Sequence, residues 1–281
     1  MRQEFRFKPS EWAVILGASS GFGGAAAIEL AHHGMNIFGV HLDRQATMPL
    51  VQQITREITK TGAKAVFYNI NAADAIKRNE TMDDIQERFA GDKEATIKVL
   101  LHSLAFGTLK PFITKKPEDS LTQAQMEMTL DVMAHSLVYW TQGLVSRHLM
   151  KRGGRIFCMT SSGGHSAIPF YGAVSAAKAA LESHTRQLAL ELGGYGITVN
   201  ALMAGVTDTP ALRKIPGNEG MIEIAHSKNP SGRLTTPEDI ARFIVLLAQE
   251  GATWVNGNVI GVDGGEDVVS YIGQRRTPEH H

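Results

Sequence analysis

The stretch WAVILGASSGFGG, residues 12–24, decides the fold. An apolar run ends at Leu16, a glycine-rich turn follows, and the Ala- and Leu-rich residues after it predict a helix that ends at Gly34. A second apolar run begins at Asn36, so strand, helix and strand occupy about thirty residues, the size of a parallel crossover unit. The sheet is therefore predicted to be parallel.

The alternation of apolar runs and helical patterns continues along the chain and predicts seven strands and about six helices. We expect one α/β domain over residues 13–269, a doubly wound Rossmann fold with a seven-stranded parallel sheet and helices on both faces. Residues 1–12 would form an N-terminal extension and residues 270–281 a C-terminal tail. Residues 122–154 are predicted to form one long helix. Residues 206–233 hold few continuous apolar residues, which fits either a lid over the substrate or a variable surface loop.

Composition argues against several classes of partner. The 281 residues include 28 Lys and Arg and 28 Asp and Glu, so no net charge favours nucleic acid or an anionic membrane. We expect neither a signal peptide nor a membrane-spanning segment, because no apolar run is long enough. Cys158 is the single cysteine and lies in an apolar run, so we expect it in the core and the protein in the cytoplasm.

The turn between the first strand and the first helix predicts a dinucleotide site. Its glycines lack side chains, so backbone amides and the helix N-terminus can approach a pyrophosphate, and its serines add hydroxyl donors. The Gly-x3-Gly-x-Gly spacing resembles the short-chain dehydrogenase/reductase family. The cofactor-binding residues predicted in this turn are Gly17, Ser19, Ser20, Gly21, Phe22 and Gly23.

The end of the second strand bears on the choice between NADPH and NADH, because an acidic side chain there binds ribose hydroxyls and repels a 2′-phosphate. Short-chain reductases that use NADH usually carry Asp seven residues past the position of Gly34, where this chain has His41. His41 and Arg44 together would hold a phosphate, so the sequence favours NADPH. A register shift of two residues would instead bring Asp43 to the ribose and favour NADH, with Arg44 a solvated loop residue.

A tyrosine and a lysine in YGAVSAAK, residues 171–178, follow Ser161, and the three resemble the Ser-Tyr-Lys arrangement of the same family. Most members separate Tyr and Lys by three residues. Here the position four before Lys178 is Val174, and the tyrosine is Tyr171. On a helix both separations place the two side chains on nearly one face, but the longer one puts them about 10 Å apart axially rather than about 6 Å.

The displaced tyrosine favours a carbon-carbon double bond as the reacting group. In ketone reduction the hydride goes to the carbon whose oxygen needs the proton, so the tyrosine must lie close to the nicotinamide. In reduction of an α,β-unsaturated thioester the hydride enters the β-carbon, and charge develops on the carbonyl oxygen two bonds further away. Tyr171 fits that enolate.

Tyr-x6-Lys is the spacing of the enoyl-acyl-carrier-protein reductases, and other segments resemble them too. LLHSLAFG, residues 100–107, stands where most short-chain reductases have Asn-Asn-Ala-Gly, and VNALMAG, residues 199–205, lacks the proline typical of ketoreductases. Asp208, Thr209 and Ser161 make the resemblance closest to the NADPH-dependent third form, since the first form has a second tyrosine at the position of Ser161.

The resemblance implies roles for individual residues. Tyr171 would bind the thioester carbonyl, and Lys178 would bind the nicotinamide ribose and lower the pKa of Tyr171. Ser161 would either donate a further hydrogen bond or only cap the strand end, and Met133 stands where the family has a proton-relay asparagine. The resemblance also implies a homotetramer packed through the long helices beside the catalytic strand. The further cofactor contacts it implies are Asn71 and Ala72 at the adenine, Ser103, Leu104 and Ala105 at the riboses, and Thr207 and Thr209 at the carboxamide and pyrophosphate. Gly205, just before them, is also predicted to bind the cofactor.

Three functions remain open. The leading one is NADPH-dependent reduction of a trans-2-enoyl thioester on acyl carrier protein or coenzyme A, in fatty acid synthesis. The second is a carbonyl reductase acting on a 3-oxoacyl, hydroxysteroid or small carbonyl substrate, in which an irregular helix start after Pro169 lets Tyr171 reach a ketone. The third is a non-catalytic dinucleotide sensor.

The histidines are not expected to bind a metal. Their positions show no ligand-like pairing, so we expect surface or loop residues. The histidines considered are His102, His135, His165 and His184.

Overall fold

The computed structural model describes residues 5–270, and the seven strands in that range form one parallel sheet. The order across the sheet is β3-β2-β1-β4-β5-β6-β7, and every neighbouring pair is parallel. The predicted doubly wound fold with seven parallel strands is therefore confirmed. The strands are β1 (Glu11–Leu16), β2 (Asn36–His41), β3 (Ala65–Asn69), β4 (Thr96–His102), β5 (Arg155–Thr160), β6 (Thr198–Ala204) and β7 (Val259–Val262).

Helices cover both faces of the sheet, and residues 5–270 contain eight α-helices rather than about six. One reason is that residues 122–154 do not form a single helix: a π-helical segment, Asp131–His135, separates two helices, and the second of them ends at Ser146. The other reason is a helix within residues 206–233. The helices are α1 (Gly21–His32), α2 (Met48–Lys60), α3 (Ala75–Phe89), α4 (Gln123–Leu130), α5 (Ser136–Ser146), α6 (Gly172–Leu192), α7 (Asn218–Lys228) and α8 (Pro237–Ala248).

Alternate residues of β1 enter two apolar clusters on opposite faces of the sheet, as strand geometry requires. Val14 and Leu16 pack in a cluster with buried residues of α3, α5 and α6, whereas Ala13 and Ile15 pack with residues of α1 and α8. Burial on both faces is why parallel strands are continuously apolar. Cys158 lies in the first cluster, where burial raises the pKa of its thiol to about 11.

The strand order reverses between β1 and β4, and a crevice forms at the carboxyl ends of such neighbouring strands. The register pairs Leu16 with His102, the last residue of each strand. The glycine turn after β1 and the segment after β4 therefore begin at the same level of the sheet, which brings the two predicted cofactor segments together.

The structure describes most of the predicted N-terminal extension but almost none of the predicted C-terminal tail. Phe7 is buried, and its amide donates a hydrogen bond to the carbonyl of His33. The predicted C-terminal tail lies outside the described residues except for Ser270. Within residues 5–270, no helix is both long and apolar enough to cross a membrane.

Candidate active site

A cavity of about 260 Å³ opens at the carboxyl edge of the sheet. Its wall is mainly apolar, and a few polar side chains converge in it, which is typical of a small-molecule site. More than half of the predicted site residues line it. These are Phe22, Ser103, Leu104, Ala105, Ser161, Tyr171, Lys178, Gly205, Thr207 and Thr209.

Tyr171 directly precedes α6, and Ser161 directly follows β5. The phenolic oxygen of Tyr171 lies 3.5 Å from Oγ of Ser161, and its ring covers Gly163 so closely that a Cβ there would lie 2.5 Å from Cε1. Burial raises the pKa of Tyr171, and the hydrogen bond to Ser161 lowers it only in part. The phenol is therefore protonated at neutral pH and can donate a hydrogen bond or a proton.

Lys178 is 6% exposed, and its Nζ donates a 2.6 Å hydrogen bond to the carbonyl of Met159 in β5. Burial lowers the pKa of Lys178 to about 8, although Cys158 and Glu182 act to raise it. The expectation that Lys178 lowers the pKa of Tyr171 was wrong. Burial of the phenol raises that pKa, and the group that opposes the rise is Ser161.

Val174 stands between these two residues, at the helix position where most of the family has tyrosine. It is buried and lines the cavity together with Met133 of the π-helical segment. A Cβ on Gly107 would lie 2.8 Å from both the Met133 sulfur and a Val174 methyl, so the three residues form a close-packed wall. Val174 and Met133 have no acidic proton, so Tyr171 is the residue that can donate a proton or a hydrogen bond beside this wall of the cavity.

The turn after β1 fits a dinucleotide pyrophosphate. A Cβ on Gly17 would overlap the carbonyl oxygen of Ser103, and a Cβ on Gly23 would overlap the carbonyl oxygen of Gly17. Gly17 also has a φ of 90°, which favours glycine. Ser20, the N-cap of α1, makes no side-chain cap, so the first amides of α1 can bind an anion.

The end of β2 holds a histidine-carboxylate pair. Nδ1 of His41 lies 3.0 Å from Oδ2 of Asp43, and the His41 side chain is 2% exposed. The side chain of Asn69 accepts a hydrogen bond from the Asp43 amide and donates one to the Asp43 carbonyl. The position of Asp43 is therefore fixed from both sides.

The carboxylate of Asp43 lies beside the glycine turn. Burial raises its pKa, but hydrogen bonds from Thr47, Ser19 and His41 outweigh that effect, and the pKa lies below its usual value. Since Ser19 belongs to the glycine turn, a negative charge is present next to the predicted cofactor site. Arg44 is exposed, and its guanidinium has no hydrogen bond or ion pair within residues 5–270.

The segment after β6 contacts the glycine turn. A Cβ on Gly21 would lie 3.6 Å from the methyl of Thr209. Thr207 donates a hydrogen bond to the Gly205 carbonyl, and Thr209 accepts one from the Leu212 amide. These local bonds fix the start of the 206–233 segment at the cavity, and residues as far along as Met221 line it.

Asn71 and Ala72 lie outside the cavity. Asn71 is exposed, and its side-chain oxygen accepts a hydrogen bond from the Ala73 amide. Ala72 is buried, and its carbonyl accepts a 2.9 Å hydrogen bond from the Trp140 indole. Their role at the adenine stays a prediction.

The expectation of surface or loop histidines was wrong for three of the four: only His165 is an exposed loop residue, and its Nε2 lies 3.1 Å from Oδ2 of Asp267. His102 is buried at the end of β4, with Nε2 2.8 Å from Oγ of Ser136, and burial first, then the charge of Lys178, lower its pKa to about 3. His135 and His184 approach to 3.0 Å because the π-helical segment packs against α6. Among the described residues, no group of three or more His, Cys, Asp or Glu could hold a metal ion.

Sequence reasoning missed Glu182 and Thr160. Oγ1 of Thr160 donates a 2.6 Å hydrogen bond to Oε1 of Glu182, one helical turn beyond Lys178. The four-residue spacing of Lys178 and Glu182 was the available signal. No sequence signal identified the apolar wall of the cavity, because its residues come from separate segments of the chain. They include Phe106, Leu109, Ile168, Leu212, Ile215 and Met221.

A doubly wound sheet with this glycine turn and a Ser-Tyr-Lys cluster at its carboxyl edge defines a short-chain dehydrogenase/reductase. A family model described as Enoyl-(Acyl carrier protein) reductase matches residues 17–266. The chain belongs to this family of oxidoreductases.

Similar proteins carry names from more than one reaction. The chain is 30% identical over 260 residues to the NADPH-dependent aldehyde reductase-like protein, chloroplastic, of Arabidopsis thaliana, covering 90% of this chain and 93% of that protein. It is 28% identical over 252 residues to the 3-oxoacyl-[acyl-carrier-protein] reductase FabG of Thermotoga maritima, covering 90% and 96%. The crystal structure of enoyl-[acyl-carrier-protein] reductase (NADH) from Aquifex aeolicus VF5 has the same fold, with a TM-score of 0.80 at 23% identity over 93% of this chain and 98% of that one.

Proposed function

We propose that the protein reduces the trans-2 double bond of an enoyl thioester, with NADPH as the reductant. The observation that carries this proposal is the position of the tyrosine relative to Lys178. Val174 lies four residues before the lysine, where most of the family has tyrosine, and the phenol that lines the cavity belongs to Tyr171, directly before α6. We propose that this arrangement puts the acid farther from the lysine, near the place where a thioester carbonyl would develop negative charge.

We assign separate roles in the reaction to Tyr171, Ser161 and Lys178. The cofactor, when bound, supplies hydride to the β-carbon of the substrate. Tyr171, protonated because burial raises its pKa, donates a hydrogen bond to the thioester carbonyl and stabilises the enolate. Ser161 supports the Tyr171 oxygen from 3.5 Å, and Lys178 binds the nicotinamide ribose through its buried ammonium.

The glycine turn and the segment after β6 would hold the rest of the cofactor. Gly17, Gly21 and Gly23 admit the pyrophosphate to the N-terminus of α1, with Ser19, Ser20 and Phe22 around it. The Ser103–Ala105 backbone would border the riboses. Thr207 and Thr209 would bind the carboxamide and the pyrophosphate, with Gly205 beside them at the cofactor. Asn71 and Ala72 are proposed at the adenine.

Two charged residues favour different cofactors. The guanidinium of Arg44 has no ion pair among the described residues, and it favours NADPH. The carboxylate of Asp43 repels a 2′-phosphate and binds ribose hydroxyls, which makes NADH the second candidate. Because His41 is buried against Asp43, we propose that it orients that carboxylate rather than binding the phosphate directly.

The substrate would be carried by acyl carrier protein or coenzyme A, in fatty acid synthesis. The 206–233 segment would act as a lid, since eight of its residues, the first Val206 and the last Met221, line the cavity. We further propose a cytoplasmic homotetramer that packs through α5 and α6.

Carbonyl reduction is the second candidate function, favoured by the 30% identity to the Arabidopsis aldehyde reductase-like protein. In that reaction the same Tyr171 would protonate the oxygen of a ketone or aldehyde. A dinucleotide sensor is less well supported, because it would need neither a buried lysine nor a phenol in the cavity.

The test is Tyr171→Phe, assayed with crotonyl thioester by cofactor absorbance. We expect kcat to fall by about 100-fold or more, because the enolate loses its donor, while the Kd for NADPH stays within about twofold. Tyr195→Phe is the matched control, since Tyr195 is 61% exposed and lies outside the cavity. Full activity in Tyr171→Phe would remove Tyr171 from the proposed role.

A further inference from the structure

Glu182 is a carboxylate one helical turn beyond Lys178 on α6. Its Oε1 accepts a 2.6 Å hydrogen bond from Thr160, the last residue of β5. A Cβ on Gly164 would lie 3.0 Å from this oxygen and 3.5 Å from the Lys178 Cβ, so Gly164 packs closely against both side chains. The carboxylate is therefore fixed beside the base of the Lys178 side chain.

Consecutive residues of β5 hold the two charged groups. The carbonyl of Met159 accepts the hydrogen bond from Lys178, and the hydroxyl of Thr160 donates to Glu182. Because a central strand of the sheet fixes both backbone positions, the two side chains keep a set relation to each other. Lys178 is buried, whereas Glu182 retains partial contact with solvent.

Within the described part of the chain, Glu182 is the carboxylate that acts on Lys178. The strands contribute His102 and Cys158, and both are neutral near pH 7, since burial lowers the pKa of His102 to about 3 and raises that of Cys158 to about 11. Tyr171 is protonated, because burial raises its pKa. No residue of β6 titrates.

Titratable groups on the helical segments packed against α6 have other partners. Glu127 accepts a hydrogen bond from Gln123, Asp131 interacts with Arg78, Tyr139 lies under the Arg78 guanidinium, and His135 pairs with His184. Among the described residues, the negative charge that acts on Lys178 near pH 7 therefore comes from Glu182, at a distance longer than a direct ion pair.

We infer that Glu182, held by Thr160, is a positioning residue that keeps Lys178 in its ammonium form at the pH at which the enzyme works. The inference rests on the proposed role of Lys178. Burial lowers the pKa of Lys178 to about 8 even with Glu182 present, so loss of the carboxylate lowers it further. The ammonium is present below this pKa and is lost as the pH rises through it, so the basic limb of the activity profile reports its titration.

Glu182→Gln removes the charge and keeps the size and an acceptor oxygen. We expect the basic limb of kcat/KM to move to lower pH by about 0.5 unit or more, and the pH dependence of the Kd for NADPH to move the same way. Glu182→Asp should keep both close to wild type. Glu191→Gln is the matched control, because Glu191 is exposed on the same helix and should leave both curves unchanged.

Thr160→Val removes the donor and should move both curves in the same direction, and Thr160→Ser should restore them. Wild-type curves in Glu182→Gln would overturn the inference. Displaced curves in Glu182→Gln with wild-type curves in Thr160→Val would overturn the part assigned to Thr160. The binding curve needs no turnover, so it tests Glu182 even if the protein reduces no enoyl thioester and the proposed function fails.

Discussion

Arg44 and Asp43 are adjacent residues with opposite effects on a 2′-phosphate. Arg44→Ala should raise the Kd for NADPH by about tenfold, the loss of one charge-assisted contact, and leave the Kd for NADH nearly unchanged. Asp43→Asn should weaken NADH and strengthen NADPH, because it removes the repelling charge beside Ser19. Fluorescence titration of both cofactors measures this. Equal losses for both cofactors in Arg44→Ala would mean that Arg44 does not bind the phosphate.

Ser161 is the polar side chain next to the Tyr171 oxygen, at 3.5 Å. If it supports that oxygen during turnover, Ser161→Ala should lower kcat/KM by about tenfold, the value of one hydrogen bond. Ser166→Ala, at an exposed position of the same loop, should have no effect. Steady-state kinetics of the two variants show whether Ser161 donates a hydrogen bond during turnover or only caps the end of β5.

Local sequence signals predicted the candidate site wherever one short segment carries the whole pattern. The glycine turn and the Tyr171–Lys178 spacing were both visible in the sequence, and the cavity brings Tyr171, Lys178 and Ser161 together. The hydrogen bond between His41 and Asp43 was not predicted. It depends on the neighbouring strand β3, whose Asn69 holds the Asp43 backbone in place, and the sequence near His41 does not show that contact. Burial of Tyr171 likewise reversed the expected direction of its pKa shift.

At the scale of elements, the apolar pattern predicted the seven strands. The five inner strands are buried on both faces and are therefore almost continuously apolar. The apolar pattern gave a wrong prediction for the helices between β4 and β5. Periodicity joined residues 122–154 into one helix, since a π-helical turn changes the hydrogen-bond partner without interrupting the apolar pattern. Helix α7 was missed because it buries only Ala225 and so has little apolar periodicity.

The turn between β1 and α1 is predicted to tolerate no side chain at Gly23. Gly23→Ala places a Cβ on the Gly17 carbonyl, so the turn must open and the amides move away from the pyrophosphate site. We expect the Kd for NADPH to rise by about tenfold or more and the melting temperature to fall. Gly194→Ala, where a Cβ meets no atom within 4 Å, should change neither. Wild-type binding in Gly23→Ala would exclude this turn as the cofactor site.

At the scale of the whole molecule, we predict a tetramer. Light scattering after size-exclusion chromatography should give four times the 30.5 kDa mass of the chain. The predicted packing is through α5 and α6, the helices that precede and follow β5 in the chain. A monomer or dimer mass at micromolar concentration would contradict this assembly.

The fold supports both carbonyl and double-bond reduction within one family, so the reaction depends on where the phenol lies relative to the lysine. With Val174 in the family's usual tyrosine position, the proposed function requires that the phenol of Tyr171 bind a carbonyl whose oxygen lies two bonds beyond the carbon that receives the hydride. The substrate preference therefore tests the position of Tyr171 in the intact enzyme.

The most direct measurement compares crotonyl and acetoacetyl thioesters as substrates of the wild-type protein, each with NADPH and with NADH, by cofactor absorbance and by mass of the product. The displaced Tyr171 predicts that the crotonyl thioester is reduced to the saturated acyl thioester at a kcat/KM at least about 100-fold above that for acetoacetyl reduction. Cofactor oxidation with the acetoacetyl thioester alone, giving the 3-hydroxy product, would contradict it.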